Sequence, residues 1–293
     1  MNFTEEYSKI KKLTTNELSA IEKIFLEEIK VRQPLCDSLI KFLTSPSKRI
    51  RPVLAILLAK SYGTELSAQQ LNFLSVIEII HNASLIHDDI IDECNIRRGE
   101  KTIGAKFDNK LAVISGDYLL ALAMNKLTEI GNPDLIKKVV LTISQMCIGE
   151  INQNFDRFKI GTIEDYIEKT KNKTAYLFET ALFGTMLLGN QEYDAEKIKE
   201  LGINIGTAFQ IRDDIINITS TGKDKPAKND IKEGIYNAPV ILGSKEDNYT
   251  SGIEKTKVLL NNYTDNAAKI INKLPKNQYS AALLKFLELL ENV

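Results

Sequence analysis

Apolar residues recur at helical spacing along almost the whole 293-residue chain, and this periodicity restricts the possible folds more than any other feature. One face of a single predicted helix, for example, carries Leu74, Ile77 and Ile80. The alternation of apolar and polar residues that is typical of strands is almost absent. The pattern predicts an all-α fold with about ten helices and no sheet.

The predicted helices are separated by short polar breaks that contain glycine or proline, and none of these breaks resembles an interdomain linker. They fall at Pro46, 62–64, 131–133, 161–162, 189–190 and 220–229. We therefore expect residues 1–293 to form a single domain. The most polar break, from Thr219 to Asn229, is either a solvated loop or a lid.

Charge and cysteine content exclude several classes of protein. The 38 basic and 39 acidic side chains nearly cancel, which argues against a general nucleic-acid-binding protein. Three widely spaced cysteines show neither zinc-site nor disulfide spacing. The charged N-terminus does not resemble a signal peptide, and no apolar run reaches the length needed to span a bilayer. We expect a cytoplasmic protein with no membrane span.

A near-repeat of an acidic motif is the most informative chemical feature. The sequence IHDDIID at 86–92 is echoed by IRDDIIN at 211–217. On a helix, Asp88 and Asp92 project from one face, as do Asp213 and Asn217. Two carboxylates about 5 Å apart at an effective dielectric near 20 repel by roughly 3 kcal/mol, and a bound cation would remove that cost. The alternative is that these aspartates are solvated or paired with surface cations.

Magnesium suits such a site, because it prefers oxygen ligands and is typically held by one or two carboxylates together with substrate phosphates. Basic residues suited to diphosphate oxygens occur in clusters at 48–51, 97–98, 173 and 223–228. Any one of them alone is more often a surface cation. The chain has neither a GxxxxGK[ST] nor a GxGxxG loop, which points away from nucleotides.

Several short motifs occur in an order that one enzyme family shares. The segment 47–52, SKRIRP, His81, and the run from Asp88 to Gly99 with its RRG tail resemble successive motifs of that family. Further matches are Gly116-Asp117, Lys173-Thr174, 209–214, Gly222-Lys223 and Asp230. The chain thus resembles the trans-isoprenyl diphosphate synthases, also called polyprenyl synthetases. The resemblance implies a helical bundle around a deep central cavity, usually in a homodimer, that condenses an allylic diphosphate of C5 to C20 with isopentenyl diphosphate.

The resemblance also implies roles for individual residues. About three Mg²⁺ ions would be bound directly by Asp88, Asp92 and Asp213. Hydrogen bonds or water would connect the metal site to Asp89 and Asp214. The allylic diphosphate would be held by Arg97, Lys173 and Lys223. Isopentenyl diphosphate would be bound by Lys48, Arg51, His81 and Arg98. The developing carbocation would be faced by Thr174 and Gln210.

The implied mechanism is mainly electrostatic. Metal ions and basic side chains would stabilise the departing diphosphate, leaving an allylic carbocation that the isopentenyl double bond attacks. The released diphosphate would remove the final proton. Water must be kept out, and the segment from Thr219 to Asn229 is a candidate closing element.

Product length in this family depends on the depth of the cavity below the first acidic helix. Ala83 and Ser84 lie about one turn before Asp88, where a large aromatic side chain would block a growing product. We therefore expect a product of at least geranylgeranyl length. Met124 could still close the floor, and small residues at 83 and 84 could serve helix packing alone.

Two positions depart from the family pattern. Asn217 stands where the second motif usually ends in aspartate, and Ile235 stands where lysine is common. Both changes remove charge near a diphosphate site, so a catalytically weak subunit that tunes an active partner is an alternative. A terpene cyclase is a third possibility, which Lys48, Arg51 and His81 oppose because a cyclase needs no second diphosphate pocket.

Overall fold

The computed structural model describes residues 2–219, 229–245 and 248–293, and helices dominate it. The α-helices are α1 (Phe3–Lys12), α2 (Thr15–Glu28), α3 (Leu35–Thr44), α4 (Ile50–Ser61), α5 (Ala68–Ile91), α6 (Ile103–Lys106), α7 (Asn109–Ile130), α8 (Pro133–Phe155), α9 (Ile163–Thr170), α10 (Tyr176–Leu187), α11 (Ala195–Thr219), α12 (Asn229–Lys232), α13 (Ala238–Ile241), α14 (Thr250–Ile271) and α15 (Gln278–Glu291). A π-helical turn (Lys171–Ala175) joins α9 to α10 without a break. The predicted all-α fold is confirmed.

The expectation of no sheet is wrong in one place, where β1 (Ile96–Arg97) and β2 (Glu100–Lys101) form a short antiparallel hairpin. Its two-residue turn consists of Arg98 and Gly99, whose φ angles are 53° and 79°. Two positive φ angles are typical of the hairpin turn whose twist matches that of the flanking strands. Strands of two residues are too short to produce a detectable alternation in the sequence.

The centre of the bundle contains α4 and α10, which are buried almost all round. A helix that is apolar on every side must be surrounded by protein, and neither of these helices has a polar face of its own. Around them α5 packs along α7, and α11 packs against both α10 and α14. None of the helices in the described parts of the chain has both the length and the apolar character that crossing a bilayer demands.

Within the described residues, the predicted breaks coincide with helix ends for local reasons. Gly131 ends α7 in a left-handed conformation with φ 72°, Asn132 caps α8 by accepting the backbone N–H of Leu135, and Pro133 opens that helix. Long helices bounded in this way bring two sequence-distant acidic motifs towards one cavity, the first at the end of α5 and the second near the end of α11.

Candidate active site

An acidic cavity of about 200 Å³ lies between the two motifs. Its wall is formed by the end of α5, by α8, by the junction of α9 with the π-helical turn, by α11 and by the segment 230–237. The carboxyl groups along this wall belong to Asp88, Asp92, Glu150, Asp214, Asp230 and Glu233. The lysines along it are Lys169 and Lys173. Such an excess of carboxylates favours a bound cation.

The first motif occupies the last turn of α5. Asp92 caps the helix, and its backbone N–H donates to the carbonyl of Asp88 at 2.8 Å. Burial raises the pKa of Asp88 to about 6, and the nearby carboxylates of Glu150 and Asp92 contribute while Lys173 opposes the shift. The side chain of Asp89 accepts a hydrogen bond from Arg97 Nε at 2.6 Å. Arg97, a predicted ligand of the allylic diphosphate, is thus paired with this motif.

In the second motif, Asp214 is buried and held on both sides. Its carboxylate accepts hydrogen bonds from the Tyr166 hydroxyl at 2.6 Å and from Gln210 Nε2 at 2.9 Å. The Thr174 hydroxyl in turn donates to Gln210 Oε1 at 2.8 Å. Burial raises the pKa of Asp214 to about 7, although both hydrogen bonds oppose the shift. Thr174 and Gln210 are thus brought together, as expected of residues that face one reacting centre.

Asp213, the predicted metal ligand of this motif, is placed differently from Asp214. Its Oδ1 lies 3.5 Å from a guanidinium nitrogen of Arg212, and its side chain is not among those that line the acidic cavity. The sequence predicts that Asp213 and Asp214 have different roles. The structure gives them different surroundings, one polar and partly exposed, the other buried.

Lys173 is fixed by a carboxylate that the sequence analysis missed. Its ammonium nitrogen lies 2.5 Å from Glu150 Oε2 on α8. The preceding residue, Gly149, permits this approach, because a Cβ there would come within 2.8 Å of Lys173 Cγ and 3.0 Å of Asn172 Cβ. A glycine before a glutamate in the middle of a predicted helix was the available signal, and without the structure it had no partner to explain it.

Asn217, a departure from the family pattern, belongs to a hydrogen-bonded chain of side chains. Its Nδ2 donates to Asp230 Oδ1 at 3.1 Å, and Asn237 Nδ2 donates to the other oxygen of Asp230 at 2.7 Å. Asn237 Oδ1 accepts from Lys169 Nζ at 3.2 Å. Two amides therefore cross-link the second motif to the segment that closes one side of the cavity.

Basic residues cluster where α4, α5 and the hairpin meet. The pKa of His81 is well below its ordinary value because its ring is desolvated and faces Arg51, Arg98 and other arginines, so it is neutral. Burial also lowers the pKa of Arg51 to about 10. The guanidinium of Arg51 lies 4.6 Å from the ring centroid of Phe178, and its buried Nε has no hydrogen-bond partner within the described parts of the chain. Three of the four predicted isopentenyl diphosphate ligands, Arg51, His81 and Arg98, thus lie near one another, and one of them has an unsatisfied donor.

The side chains of Arg98 and Lys48, two of the predicted isopentenyl diphosphate ligands, contact neighbouring elements. Arg98 donates to Ser45 Oγ at 2.9 Å. Lys48 lies on the N-terminal side, where its Nζ is 4.9 Å from the Phe3 ring centroid and its carbonyl accepts the Tyr7 hydroxyl at 2.9 Å. Arg49 has a separate structural role, because it forms a buried ion pair of 2.9 Å with Glu78.

A largely apolar cavity of about 300 Å³ runs between α5, α7 and α8. Ala83 and Ser84 lie in its wall opposite Ile143 and Met146. At one end it reaches Asp88, Glu150 and Lys173, which also line the acidic cavity. Met124 is not among its lining residues, whereas Leu120, one turn earlier on α7, is. The cavity has the chemistry required to hold a hydrocarbon chain whose diphosphate lies among the carboxylates.

The oxygen donors fit magnesium. The buried oxygens Asp89 Oδ2 and Asn217 Oδ1 have no hydrogen-bond partner among the residues that the structure describes. Within those same ranges no three acidic, histidine or cysteine side chains form a ready-made metal cage, so Asp88, Asp92 and Asp213 do not converge on one point. Magnesium needs no such cage where one or two carboxylates act together with phosphate oxygens. Residues 220–228 of the predicted lid, including Lys223, lie outside the described residues.

Comparisons with known proteins agree on one family. A family model described as "Polyprenyl synthetase" matches residues 33–277. The chain is 30% identical over 295 residues to heptaprenyl diphosphate synthase component 2 of Geobacillus stearothermophilus, with 90% of this chain and 92% of that protein covered. It is 37% identical over 242 residues to a prenyl transferase of Cyanidium caldarium, with 80% and 75% covered. The heptaprenyl diphosphate synthase structure from Staphylococcus aureus matches with a TM-score of 0.88 and 27% identity, covering 96% of this chain and 98% of that one.

Proposed function

Because the chain belongs to the polyprenyl synthetase family, we propose that it condenses an allylic diphosphate with isopentenyl diphosphate to make a trans-polyprenyl diphosphate of C20 or longer. The observation that carries this proposal is the junction of two cavities of different chemistry. The acidic cavity shares Asp88 and Lys173 with the apolar cavity. A buried arginine nitrogen without a hydrogen-bond partner, Arg51 Nε, lies in the basic cluster around His81. These features suit an ionising diphosphate, a hydrocarbon chain and a second diphosphate.

The residues of the acidic cavity would bind and ionise the allylic substrate. Asp88, Asp92 and Asp213 would hold magnesium, which would supply positive charge to the leaving diphosphate; we propose about three ions. Lys173, Arg97 and Lys223 would bind the diphosphate oxygens. The Thr174 hydroxyl donates its hydrogen to Gln210, so it presents only lone pairs to the cavity, a polarity that favours a developing allylic cation.

The basic cluster around Arg51 and His81 would bind isopentenyl diphosphate. Arg51, Arg98 and Lys48 would bind its diphosphate by charge-assisted hydrogen bonds. His81 is neutral because of burial and the neighbouring arginines, so it can donate one hydrogen bond without adding charge. Ionisation of one substrate and attack by the other require two diphosphate sites, the acidic cavity and the basic cluster. A cyclisation requires only one.

We also propose that the protein is a homodimer. Exposed apolar side chains on α7 and α8 support this, since Ile114 is 60% and Ile151 54% exposed. Sedimentation velocity at several concentrations tests it. A single species of monomer mass at micromolar concentration would contradict the proposal.

The first experiment is a magnesium-dependent assay of the purified chain with labelled isopentenyl diphosphate and separate C5, C10, C15 and C20 allylic diphosphates. Products of C20 or longer are expected. Products that stop at C15 would contradict the proposed chain length. No incorporation with any starter, despite binding of diphosphate, would favour the alternative of a regulatory subunit.

A further inference from the structure

Lys169 is a partly buried lysine of the acidic cavity to which sequence motifs assign no role. It lies in the last turn of α9, one turn before Lys173 in the π-helical turn, and both side chains line the acidic cavity. Lys169 also lines an adjoining polar cavity of about 390 Å³ between α8, α9 and the segment 234–241. It therefore lies between this polar cavity and the carboxylates of both motifs.

The ammonium group of Lys169 is not neutralised by direct contact. Its hydrogen-bond partner is the neutral amide oxygen of Asn237 at 3.2 Å, and no carboxylate of the described residues lies within ion-pair distance. Lys173, by contrast, is paired with Glu150 at 2.5 Å. A lysine has three N–H donors, so Lys169 keeps two for a ligand. A partly buried cation without a contacting counter-ion favours an anionic ligand.

The neighbouring positions 235 and 237 bring no charge of their own to these cavities. Ile235 lines both of them with an apolar side chain. Asn237, two residues later, is the neutral group that holds the Lys169 ammonium. Among the described residues, the lysines that line the acidic cavity are therefore Lys169 and Lys173.

We propose that Lys169 binds the diphosphate of the allylic substrate. This inference rests on the proposed function. The two free donors of the ammonium group would reach phosphate oxygens, while the bond to Asn237 keeps the long side chain directed into the cavity. Through Asn237 the Lys169 side chain is connected to Asp230 and Asn217.

The first test measures binding of inorganic diphosphate in the presence of Mg²⁺ by titration calorimetry. We expect Lys169→Gln to weaken binding about tenfold or more, since it removes a charge-assisted contact. Lys169→Arg should bind within about threefold of the unchanged protein. The matched control is Lys171→Gln, two residues away on a different cavity with Gln145 and Tyr176, which should bind like the unchanged protein. Equal affinity of Lys169→Gln and the unchanged protein would overturn the inference.

The second test is a rescue. In the double variant Lys169→Gln, Ile235→Lys, a lysine at 235 should restore most of the lost diphosphate affinity, because it returns a cation to the same cavity. In turnover assays Lys169→Gln should raise the KM for the allylic substrate and leave the KM for isopentenyl diphosphate within about twofold. An equal rise in both KM values, or no rescue, would count against a specific contact.

These measurements separate the inference from the proposed function. If the unchanged protein turns over no allylic diphosphate, the proposed function fails. The calorimetric comparison of Lys169→Gln with Lys171→Gln would still decide whether Lys169 binds diphosphate. If turnover is present and the two variants bind alike, the inference fails by itself.

Discussion

At the scale of single residues, Asn217 shows how one amide changes the electrostatics of a cavity. It donates to Asp230, whose other oxygen accepts from Asn237. An aspartate at 217 could not donate that hydrogen bond and would place a second negative charge beside a buried one. The sequence alone showed only that Asn217 removes charge near a diphosphate site, whereas its contacts show that it also satisfies Asp230.

We therefore predict that Asn217→Asp raises neither the stability nor the turnover of the protein. The variant should unfold at a lower temperature at pH 8, with a loss of about 1–3 kcal/mol from the unpaired carboxylates. Burial raises the pKa of Asp230, so the loss should shrink as the pH is lowered and that group is protonated. Thermal unfolding without metal at pH 5 and pH 8 measures this. A variant of higher stability and higher turnover would contradict it.

A second prediction at this scale concerns Asp88 and the dependence of stability on pH. Its pKa is about 6 in the folded protein against an ordinary value of 3.8, so the folded state binds the proton more tightly. That contribution to stability is present below about pH 4 and is lost as the pH rises through 6, with a total of roughly 3 kcal/mol.

Asp88→Asn removes this cost, so it should raise the thermal midpoint of the metal-free protein at pH 8 by about 3 °C or more and have little effect at pH 4. Asp265→Asn, an exposed change on α14, is the control and should have no such pH dependence. Added Mg²⁺ with inorganic diphosphate should stabilise the unchanged protein more than Asp88→Asn. Equal effects of Asp88→Asn at both pH values would contradict the assignment.

At the scale of elements, the junction of α9, the π-helical turn and α10 positions the cationic side of the site. π-Helical turns within helices occur frequently at functional sites, and this one carries Lys173 and Thr174. Glycines of the neighbouring helices let it approach closely. A Cβ at Gly149 on α8 would meet Lys173 and Asn172, and one at Gly206 on α11 would come within 2.6 Å of Ala175 Cα.

We predict that Gly149→Ala separates α8 from the π-helical turn and disturbs the ion pair between Lys173 and Glu150. Stability should fall by about 1–3 kcal/mol, as for other overpacked positions, and turnover should fall about tenfold or more. Gly104→Ala on α6 is the control, because its added methyl group would meet only the end of the Asn109 side chain within 3 Å. Thermal unfolding and steady-state kinetics of both variants test this. Equal behaviour would show that close approach at Gly149 is not required.

At the scale of the whole molecule, the cavities form one continuous arrangement from charge to hydrocarbon. Asp88, Glu150 and Lys173 line both the acidic and the apolar cavity. The diphosphate end of a prenyl chain and its hydrocarbon tail would therefore lie on either side of the last turns of α5. Product length then depends on how far the apolar cavity remains open past Ala83 and Ser84.

We predict that Ser84→Phe shortens the product to C15, because the ring would fill the apolar cavity about one turn from Asp88. Ser84→Ala is the control and should leave products of C20 or longer. Chain-length analysis with farnesyl diphosphate as starter measures both. An unchanged product distribution for Ser84→Phe would mean that the chain follows another path.

Whether the sequence predicts a feature of the structure depends on how far apart in the chain the interacting residues are. Helix type, most helix breaks and the shared face of Asp88 and Asp92 follow from bonds and spacings within a few residues, and these expectations agree with the structure. The hairpin at Arg98 and Gly99 was missed because two-residue strands leave no periodic pattern. Roles taken from the family resemblance for individual site residues stay predictions.

The sequence by itself therefore determined the all-α class, the two acidic motifs and the family, since local backbone preference and residue order carry that information. Only the tertiary structure decided which side chains meet. Tyr166 reaches Asp214, Glu150 reaches Lys173 and Lys169 reaches Asn237. These pairs lie on different elements, and their distances depend on how glycine-lined helices pack around buried α4 and α10, a property of the assembled core that no local pattern encodes.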